Sequence, residues 1–121
     1  MMLIKEFYTL QNFSSGNNSI DAVLLLNPGH EVYKGHFPGQ PVVPGVIQIQ
    51  ILRELAEKAL EKKLFISEVT SAKYLNMIVP AHEPVLIEIT LKPAETGFKL
   101  NGLIKNKTIV YSKIKMVVLE R

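Results

Sequence analysis

The alternation of apolar and polar positions along the chain begins with two segments of strand length. Residues 3–12 alternate loosely between the two classes, and residues 20–26 form a dense apolar run. A cluster of turn-forming residues at 14–19 separates them. The pattern therefore predicts that the two segments pair as a β-hairpin.

A single long helix is predicted from residue 46 to residue 63, a stretch that contains no glycine or proline. Its apolar residues recur three and four positions apart, as on one face of a helix. The first two turns are apolar almost all round, so we expect this helix to enter the core with its N-terminal end first. Pro44 stands just before it, and proline suits the start of a helix because its missing N–H costs nothing there.

The remainder of the chain is predicted to form strands. Four of them are predicted, over residues 64–79, 85–91, 98–104 and 108–119. Pro80 and Pro93 end the first two, and the last two form a hairpin around residues 105–107. Two strands, one long helix and then four strands predict an α+β fold, with the helix packed on a mostly antiparallel sheet of about six strands.

Composition agrees with one globular domain spanning residues 1–121, because 47% of the residues are apolar and 21% are charged. The chain has no cysteine, which excludes disulfides, thiolate metal sites and cysteine nucleophiles. No signal peptide and no membrane-length apolar run is visible, so we expect a cytoplasmic protein without membrane contact. The net charge of +3 comes from lysines scattered along the sequence among acids, a pattern that does not predict nucleic-acid binding.

The loop before the helix carries the candidate chemistry. It is rich in glycine and proline, and a loop of this length in a compact domain indicates a function. His36 is suited to proton transfer near neutral pH, and the helix N-terminus offers N–H groups to an oxygen that gains negative charge. The two together fit proton abstraction beside a thioester or ketone carbonyl. The spacing leaves one alternative open, in which the loop is a rigid crossover and the histidine is only a packing residue.

Residues 35–46, with the sequence Gly-His-Phe-Pro-Gly-Gln-Pro-Val-Val-Pro-Gly-Val, resemble a family signature. The pattern G-H-F-P-G-x-P-x-x-P-G-V is that of the 3-hydroxyacyl-[acyl-carrier-protein] dehydratases of fatty acid biosynthesis, and every fixed position is matched. Residues 72–80 are similar to a later strand of that family, and the resemblance extends from about residue 27 to residue 91. It implies the hotdog fold, in which an antiparallel sheet wraps a long helix. The family's N-terminal segment has no counterpart, so the chain resembles a short, divergent member.

This resemblance implies a hydro-lyase that acts on acyl thioesters carried by an acyl carrier protein or coenzyme A, without cofactor or metal. His36 corresponds to the base that takes the proton next to the thioester, and Gly45 to the residue whose N–H binds the thioester oxygen. The other positions implied to shape the site are Phe37, Pro38, Gly39 and Val46. Lys34, Lys73 and Arg53 are either solvated or hold an acidic carrier protein or the phosphate of its prosthetic arm.

The family's acidic residue is missing. It stands fourteen residues after the histidine, where this chain has Gln50, and glutamine cannot deliver a proton near neutral pH. Glu54 lies one turn later on the same helix face, either as a relocated acid or as the start of a solvated stripe with Glu57 and Glu61. We expect Gln50→Glu to restore the acid, because a buried carboxyl favours its neutral form.

Three functional interpretations follow from this substitution. The first is a dehydratase in which Gln50 or Glu54 orients the hydroxyl or a water molecule. The second is a hotdog thioesterase in which the same residues position water for hydrolysis. The third is an acyl-binding subunit, or one half of a heterodimer with an acid-bearing paralogue. The resemblance implies a homodimer or higher oligomer whose sheets join edge to edge and whose sites combine His36 of one subunit with the helix of the other.

Overall fold

The computed structural model describes residues 6–34, 41–80 and 83–121 and confirms the α+β architecture. In chain order the elements are β1 Tyr8–Gly16, β2 Ser19–Leu26, a 3₁₀ turn Glu31–Lys34, α1 Gly45–Leu60, β3 Leu64–Tyr74, β4 Val85–Ala94, β5 Gly97–Lys105 and β6 Val110–Glu120. The predicted hairpins β1–β2 and β5–β6 are both present. None of the helices in these ranges has the length and hydropathy that crossing a membrane requires.

Several predicted boundaries differ from the structure. The prediction that Pro93 ends a strand is wrong, because β4 continues through Pro93 to Ala94. Two other differences have identifiable reasons. Helix α1 ends at Leu60 because Glu61 adopts a left-handed conformation with φ of 55° and donates its N–H to the Glu57 carbonyl. Strand β3 ends at Tyr74, five residues earlier than predicted, because the N–H groups of Leu75 and Asn76 both turn to the carbonyl of Tyr111. The segment after β3 is therefore free to run beside the start of α1.

The six strands form one antiparallel sheet in the order β1-β2-β4-β5-β6-β3. The connection from β2 to β3 carries α1 across the face of the sheet, so these two strands lie far apart although no other strand separates them along the chain. Strands β1 and β3 are consequently the two edges. The C-terminal end of β3 lies beside the N-terminus of α1, and this places the candidate site.

Helix α1 packs against the sheet through one buried face made of Ile51, Leu52, Leu55 and Ala56. Leu52 sits directly over Gly102 of β5, where an added Cβ would lie 2.5 Å from Leu52 Cδ1. The expectation that the helix enters the core with its N-terminal end first is wrong in part. Val46 in the first turn is 68% exposed, and the buried apolar residues of the helix begin only at Ile51.

Candidate active site

A groove with a volume of about 450 Å³ opens at the N-terminus of α1. Its walls come from the segment that leads into the helix and from the end of β3 with the residues that follow. The lining residues are Val42, Val43, Pro44, Gly45, Gln48, Tyr74, Leu75, Asn76 and Met77. The groove thus joins the predicted oxyanion glycine to the end of the strand that the sequence pattern predicted over residues 64–79.

The first turn of α1 presents backbone donors to this groove. Pro44 is the N-cap residue in an extended conformation and supplies no side-chain hydrogen bond. The N–H groups of Gly45 and Val46 precede the first intrahelical bonds, and within the described residues they meet no acceptor. The aligned peptide dipoles add partial positive charge at this end of the helix. This turn can therefore hold an oxygen that becomes negatively charged.

Tyr74 closes over the same turn. A Cβ added to Gly45 would lie 2.7 Å from both Cζ and the hydroxyl oxygen of Tyr74, so a glycine is needed for the ring to approach this closely. The ring remains about half exposed, and its burial against the groove raises the pKa of the Tyr74 hydroxyl. Tyr74 therefore forms a neutral, partly apolar wall beside the backbone donors.

The segment that leads into α1 is held in place by a buried polar bridge. Gln48 Nε2 donates to the Val43 carbonyl at 3.3 Å, and Ser112 Oγ of β6 donates to Gln48 Oε1 at 2.7 Å. Gln48 is 3% exposed and Ser112 is fully buried. The N–H of Val43 donates in turn to the Ile78 carbonyl at 2.8 Å. Both backbone polar groups of Val43 are thus anchored just before the glycine.

Sequence analysis did not single out Gln48 or Ser112. A signal for Gln48 was nevertheless present, because it is one of only two polar residues, with Gln50, in the otherwise apolar stretch 46–52. A polar side chain at such a position is buried at a cost unless it finds a partner. Its partner Ser112 is 64 residues away along the chain, so only the tertiary structure identifies it.

Gln50 is half-buried and its amide is already oriented. Arg53 Nε donates to Gln50 Oε1 at 2.7 Å, and Arg53 Nη1 forms an ion pair with Glu57 Oε1 at 3.0 Å. Because the amide oxygen is engaged, the Nε2 hydrogens are the donors that Gln50 retains for another partner. Position 50 therefore offers a hydrogen-bond donor next to a fixed positive charge.

Glu54 is only 8% exposed, so its interpretation as part of a solvated stripe is wrong. The Tyr8 hydroxyl donates to Glu54 Oε1 at 3.1 Å, and Oε2 is buried without a partner among the described residues. Burial raises the pKa of Glu54, and the bond from Tyr8 and the positive charge of Arg53 oppose that rise only in part. Burial also raises the pKa of the Tyr8 hydroxyl, which therefore stays protonated. Glu54 is the buried acid of this helix.

The structure places the predicted site residues in two groups along α1. Gly45 and Val46 form its first turn, whereas Gln50 and Glu54 lie further along. At about 1.5 Å of rise per residue, the backbones of Gln50 and Glu54 are about 7.5 and 13.5 Å along the helix axis from Gly45. His36, Phe37, Pro38 and Gly39 lie outside the described residues.

His30 is a packing residue. Its Nδ1 accepts a hydrogen bond from the Val32 N–H at 3.1 Å, and its ring meets Phe7 edge-on at 5.1 Å between centroids. Across residues 6–34, 41–80 and 83–121, no three histidine, aspartate or glutamate side chains lie close enough together to hold a metal ion. His82, like His36, is outside these ranges.

Comparison with known proteins gives a consistent result. The family model described as ApeI dehydratase matches residues 12–113. The 3-hydroxyacyl-[acyl-carrier-protein] dehydratase FabZ of Clostridium acetobutylicum is 35% identical over 57 residues, which are 41% of this chain and 40% of that protein. FabZ of Caulobacter vibrioides is 30% identical over 99 residues, 74% of this chain and 62% of that protein. The chain thus matches between 40% and 62% of the length of these relatives.

Solved structures confirm the hotdog fold. The dehydratase heterocomplex ApeI:P from Xenorhabdus doucetiae superposes with a TM-score of 0.81 at 21% identity, covering 93% of this chain and 97% of that one. The putative thioesterase yhdA from Lactococcus lactis superposes with a TM-score of 0.73 at 16% identity, covering 99% of this chain and 98% of that one. At these identities the likeness concerns the fold, which dehydratases and thioesterases share.

Proposed function

The chain belongs to the ApeI-like dehydratase family, and from this premise we propose that it removes water from 3-hydroxyacyl groups presented as thioesters. The observation that carries the proposal is the groove at the start of α1, which Gly45 and Tyr74 line and where the first backbone N–H groups of the helix have no intrahelical acceptor. A thioester oxygen that gains negative charge is stabilised by donors of this kind. The substrate is carried on an acyl carrier protein or on coenzyme A.

In the proposed reaction His36 takes a proton from the carbon next to the thioester carbonyl. The thioester oxygen accepts the N–H of Gly45 while charge builds on it. The electron pair of the broken C–H bond then forms the carbon–carbon double bond, and the C–O bond to the hydroxyl breaks. The hydroxyl leaves as water once it receives a proton. This proton must come from a residue other than His36 and Gly45.

Glu54 is better suited than Gln50 to deliver that proton. Burial raises the pKa of Glu54 and so favours the protonated form, which is the form that donates. Gln50 has only amide hydrogens to offer and is suited to orient the hydroxyl or a water molecule. Gln50 and Glu54 both lie too far along α1 to contact a substrate group held at the N–H groups that begin the same helix. We therefore assign them to a site completed across a subunit interface.

The edge of the sheet supports such an interface. Strand β3 has a neighbour on one side only, and several large apolar residues on it and after it are exposed. These residues are Phe65, Val69, Tyr74, Leu75, Met77 and Val79. An unpaired strand edge beside exposed apolar side chains favours pairing with another chain. We propose a dimer joined at β3, made either of two copies or with a related subunit, as in the ApeI:P heterocomplex.

The test is an assay with 3-hydroxybutyryl and crotonyl thioesters and with longer acyl chains. Interconversion of the hydroxyacyl and enoyl thioesters, followed by absorbance of the conjugated double bond, is the expected result. His36→Ala should reduce the rate by at least about 100-fold, the lower end of the gain from a positioned base. His82→Ala is the matched control, because no role is assigned to that histidine. Equal loss in both variants would contradict the assignment of His36.

Thioester hydrolysis is the competing activity. It is favoured by the Gln50 amide, whose free hydrogens can orient water, and by the structural likeness to the putative thioesterase from Lactococcus lactis. The same incubations separate the two activities when free thiol is measured alongside the double bond. Release of thiol without formation of the enoyl thioester would establish hydrolysis and overturn the dehydratase proposal.

A further inference from the structure

The Tyr74 hydroxyl is an uncommitted hydrogen-bond donor in the groove at the start of α1. The polar side chains that line this groove are those of Gln48, Tyr74 and Asn76. Gln48 uses both ends of its amide in the buried bridge between β6 and the segment that enters the helix. The Asn76 amide nitrogen donates to the Val110 carbonyl at 2.8 Å. Among these lining side chains, that of Tyr74 therefore has no hydrogen-bond partner in the described part of the chain.

The end of β3 fixes the position of this side chain. Tyr74 stands opposite Ser112 of β6 in the strand register, and directly opposite residues of paired strands share one face of the sheet. The N–H groups of Leu75 and Asn76 donate to the Tyr111 carbonyl at 2.8 and 3.1 Å, so the backbone directly after Tyr74 is also held. The ring is thus placed over the start of α1 by the sheet itself, without help from a substrate.

The Tyr74 hydroxyl lies close to the backbone nitrogen of Gly45. A Cβ added to Gly45 would lie 2.7 Å from the hydroxyl oxygen. Because a Cβ is about 2.5 Å from the nitrogen of its own residue, the hydroxyl oxygen lies within about 5 Å of the Gly45 nitrogen. Two donors that each bond one shared oxygen at about 2.7–3.0 Å can be up to about 6 Å apart. A single acceptor oxygen can therefore be bound by both groups.

The hydroxyl keeps its proton at neutral pH. Burial against the groove raises the pKa of Tyr74 above its ordinary value of 10.0. A neutral phenol donates a hydrogen bond and carries no charge that would repel an oxygen becoming negative. The side chain is about half exposed in the single chain, and the dimer proposed above at β3 would exclude further water from it. Exclusion of water strengthens a hydrogen bond to a charged oxygen.

We infer that Tyr74 is a catalytic residue whose hydroxyl binds the thioester oxygen together with the N–H of Gly45. The inference rests on the proposed function, since it assumes a thioester oxygen that gains negative charge. The hydroxyl donates a hydrogen bond and retains its proton while His36 removes the proton next to the carbonyl. The negative charge then leaves the oxygen as the carbon–carbon double bond forms and the substrate hydroxyl departs.

The first experiment removes the hydroxyl and keeps the ring. Tyr74→Phe leaves the aromatic packing over Gly45 in place, so the variant should keep the denaturation midpoint of the unaltered protein. Tyr111→Phe is the matched control, because it removes a tyrosine hydroxyl that bonds Asn106 Nδ2 at 3.0 Å instead of lining the groove. Both variants are assayed with the 3-hydroxybutyryl thioester of N-acetylcysteamine.

The loss should appear in kcat, because the bond strengthens as the oxygen becomes charged. Removal of one donor of this kind typically costs about 10²–10³ in kcat, and we expect Tyr74→Phe to lose at least about 30-fold. Its KM should change less than threefold, and Tyr111→Phe should change less than threefold in both constants. A loss in kcat below threefold for Tyr74→Phe, or an equal loss in the two variants, would overturn the inference.

Infrared spectroscopy identifies the atom that Tyr74 contacts. The probe is a crotonyl thioester with an isotope label at the carbonyl carbon, bound to His36→Ala so that it is not hydrated. A hydrogen bond to a carbonyl lowers its stretching frequency, so adding Tyr74→Phe should raise the frequency of the bound carbonyl and adding Tyr111→Phe should leave it unchanged. An unchanged frequency with Tyr74→Phe would overturn the inference even if kcat falls, because the hydroxyl would then act on another part of the substrate.

The inference and the proposed function fail in different ways. If the unaltered protein does not interconvert the hydroxyacyl and enoyl thioesters, the proposed function fails. The carbonyl frequency of the bound thioester still decides in that case whether Tyr74 contacts the oxygen. If the thioesters are interconverted but the frequency does not depend on Tyr74, the inference alone is wrong. A thioester that does not bind at all would overturn both.

Discussion

Arg53 determines the protonation state of a carboxyl group introduced at position 50. Its Nε lies 2.7 Å from Gln50 Oε1, so the carboxylate of the Gln50→Glu variant would gain a charged partner. An opposite charge at this distance lowers a carboxyl pKa by about 1–3 units. The sequence-based expectation that burial would keep this group neutral did not include Arg53.

We therefore predict that Gln50→Glu alone changes the dehydration rate less than threefold. The double variant Gln50→Glu/Arg53→Met, which removes the positive charge, should gain at least about tenfold, a fraction of the usual contribution of a proton donor. The rates are measured at pH 7 with a 3-hydroxybutyryl thioester, and Arg53→Met alone is the control. A tenfold gain in Gln50→Glu without the second change would show that Arg53 does not hold the carboxylate ionised.

Glu54 should make the stability of the protein depend on pH. Burial raises its pKa above the ordinary value of 4.5, whereas the positive charge of Arg53 and the bond from Tyr8 oppose the rise. The folded chain then keeps a proton that the unfolded chain has already lost, so unfolding releases a proton within this window. The free energy of unfolding consequently falls as pH rises from about 4.5 through the folded-state pKa, by about 1.4 kcal/mol for each unit of the shift.

Glu54→Gln removes this dependence and nearly preserves the shape of the side chain. We predict that the stability of the variant relative to the unaltered protein increases as pH rises from 4 to 8. Urea denaturation at several pH values measures the free energy of unfolding of both proteins. If Glu54 also delivers the proton, the same variant should lose about 10²–10⁴-fold in dehydration rate. Glu57→Gln is the control on the next turn. A stability difference that is constant with pH would contradict the buried, proton-binding state of Glu54.

Ser112 supports the start of α1 through Gln48. Ser112→Ala leaves the buried Gln48 Oε1 without its donor, and an unsatisfied buried acceptor costs about 1–3 kcal/mol. We predict a loss of this size in the free energy of unfolding, together with a lower kcat, because the Val43 carbonyl is held by the same glutamine. Ser67→Ala in β3, an exposed serine that bonds the Val117 carbonyl at 3.4 Å, is the control and should change little.

At the scale of the elements, the contact between α1 and the sheet depends on Gly102. A Cβ there would lie 2.5 Å from Leu52 Cδ1, and Leu52 is fully buried. We predict that Gly102→Ala lowers the free energy of unfolding by about 1–3 kcal/mol, a typical cost of overpacking. Gly16→Ala is the control, because nothing lies within 4 Å of the added atom. Denaturation midpoints measure both variants.

A second substitution at the same contact tests the cause. Leu52→Val removes volume where Gly102→Ala adds it, so the double variant should be more stable than the sum of the two single effects implies. Strict additivity would mean that the two side chains do not compete for space.

For the whole molecule, the open edge at β3 predicts self-association. Light scattering should give twice the chain mass of 13.6 kDa at working concentrations, if the partner is a second copy. Val69→Lys, on the edge strand, should shift the protein to the monomer and reduce activity, because a charge there opposes edge pairing. Ile109→Lys is the matched control, since both side chains are 42% exposed in the single chain. A monomeric, fully active protein would contradict the shared site.

Much of the architecture could be predicted from local pattern. The helix, the hairpins β1–β2 and β5–β6, and the position of Gly45 at the start of α1 follow from periodicity, turn residues and the glycine- and proline-rich motif. These features depend on residues that are close together in the chain. The pairing of β3 with β6, the wall formed by Tyr74 and the buried state of Glu54 could not be predicted in the same way. They depend on which distant segments the sheet brings into contact.

The sequence by itself determined which chemical groups the protein has: a histidine in a glycine- and proline-rich loop, a helix start with free N–H groups, and a glutamine in place of an acid. Only the tertiary structure decided the state of those groups. It buries Glu54 beside Tyr8 and joins Gln48 to Ser112. The physical reason is that burial and hydrogen bonding depend on neighbours in space, and the order and register of the strands determine which distant residues become neighbours.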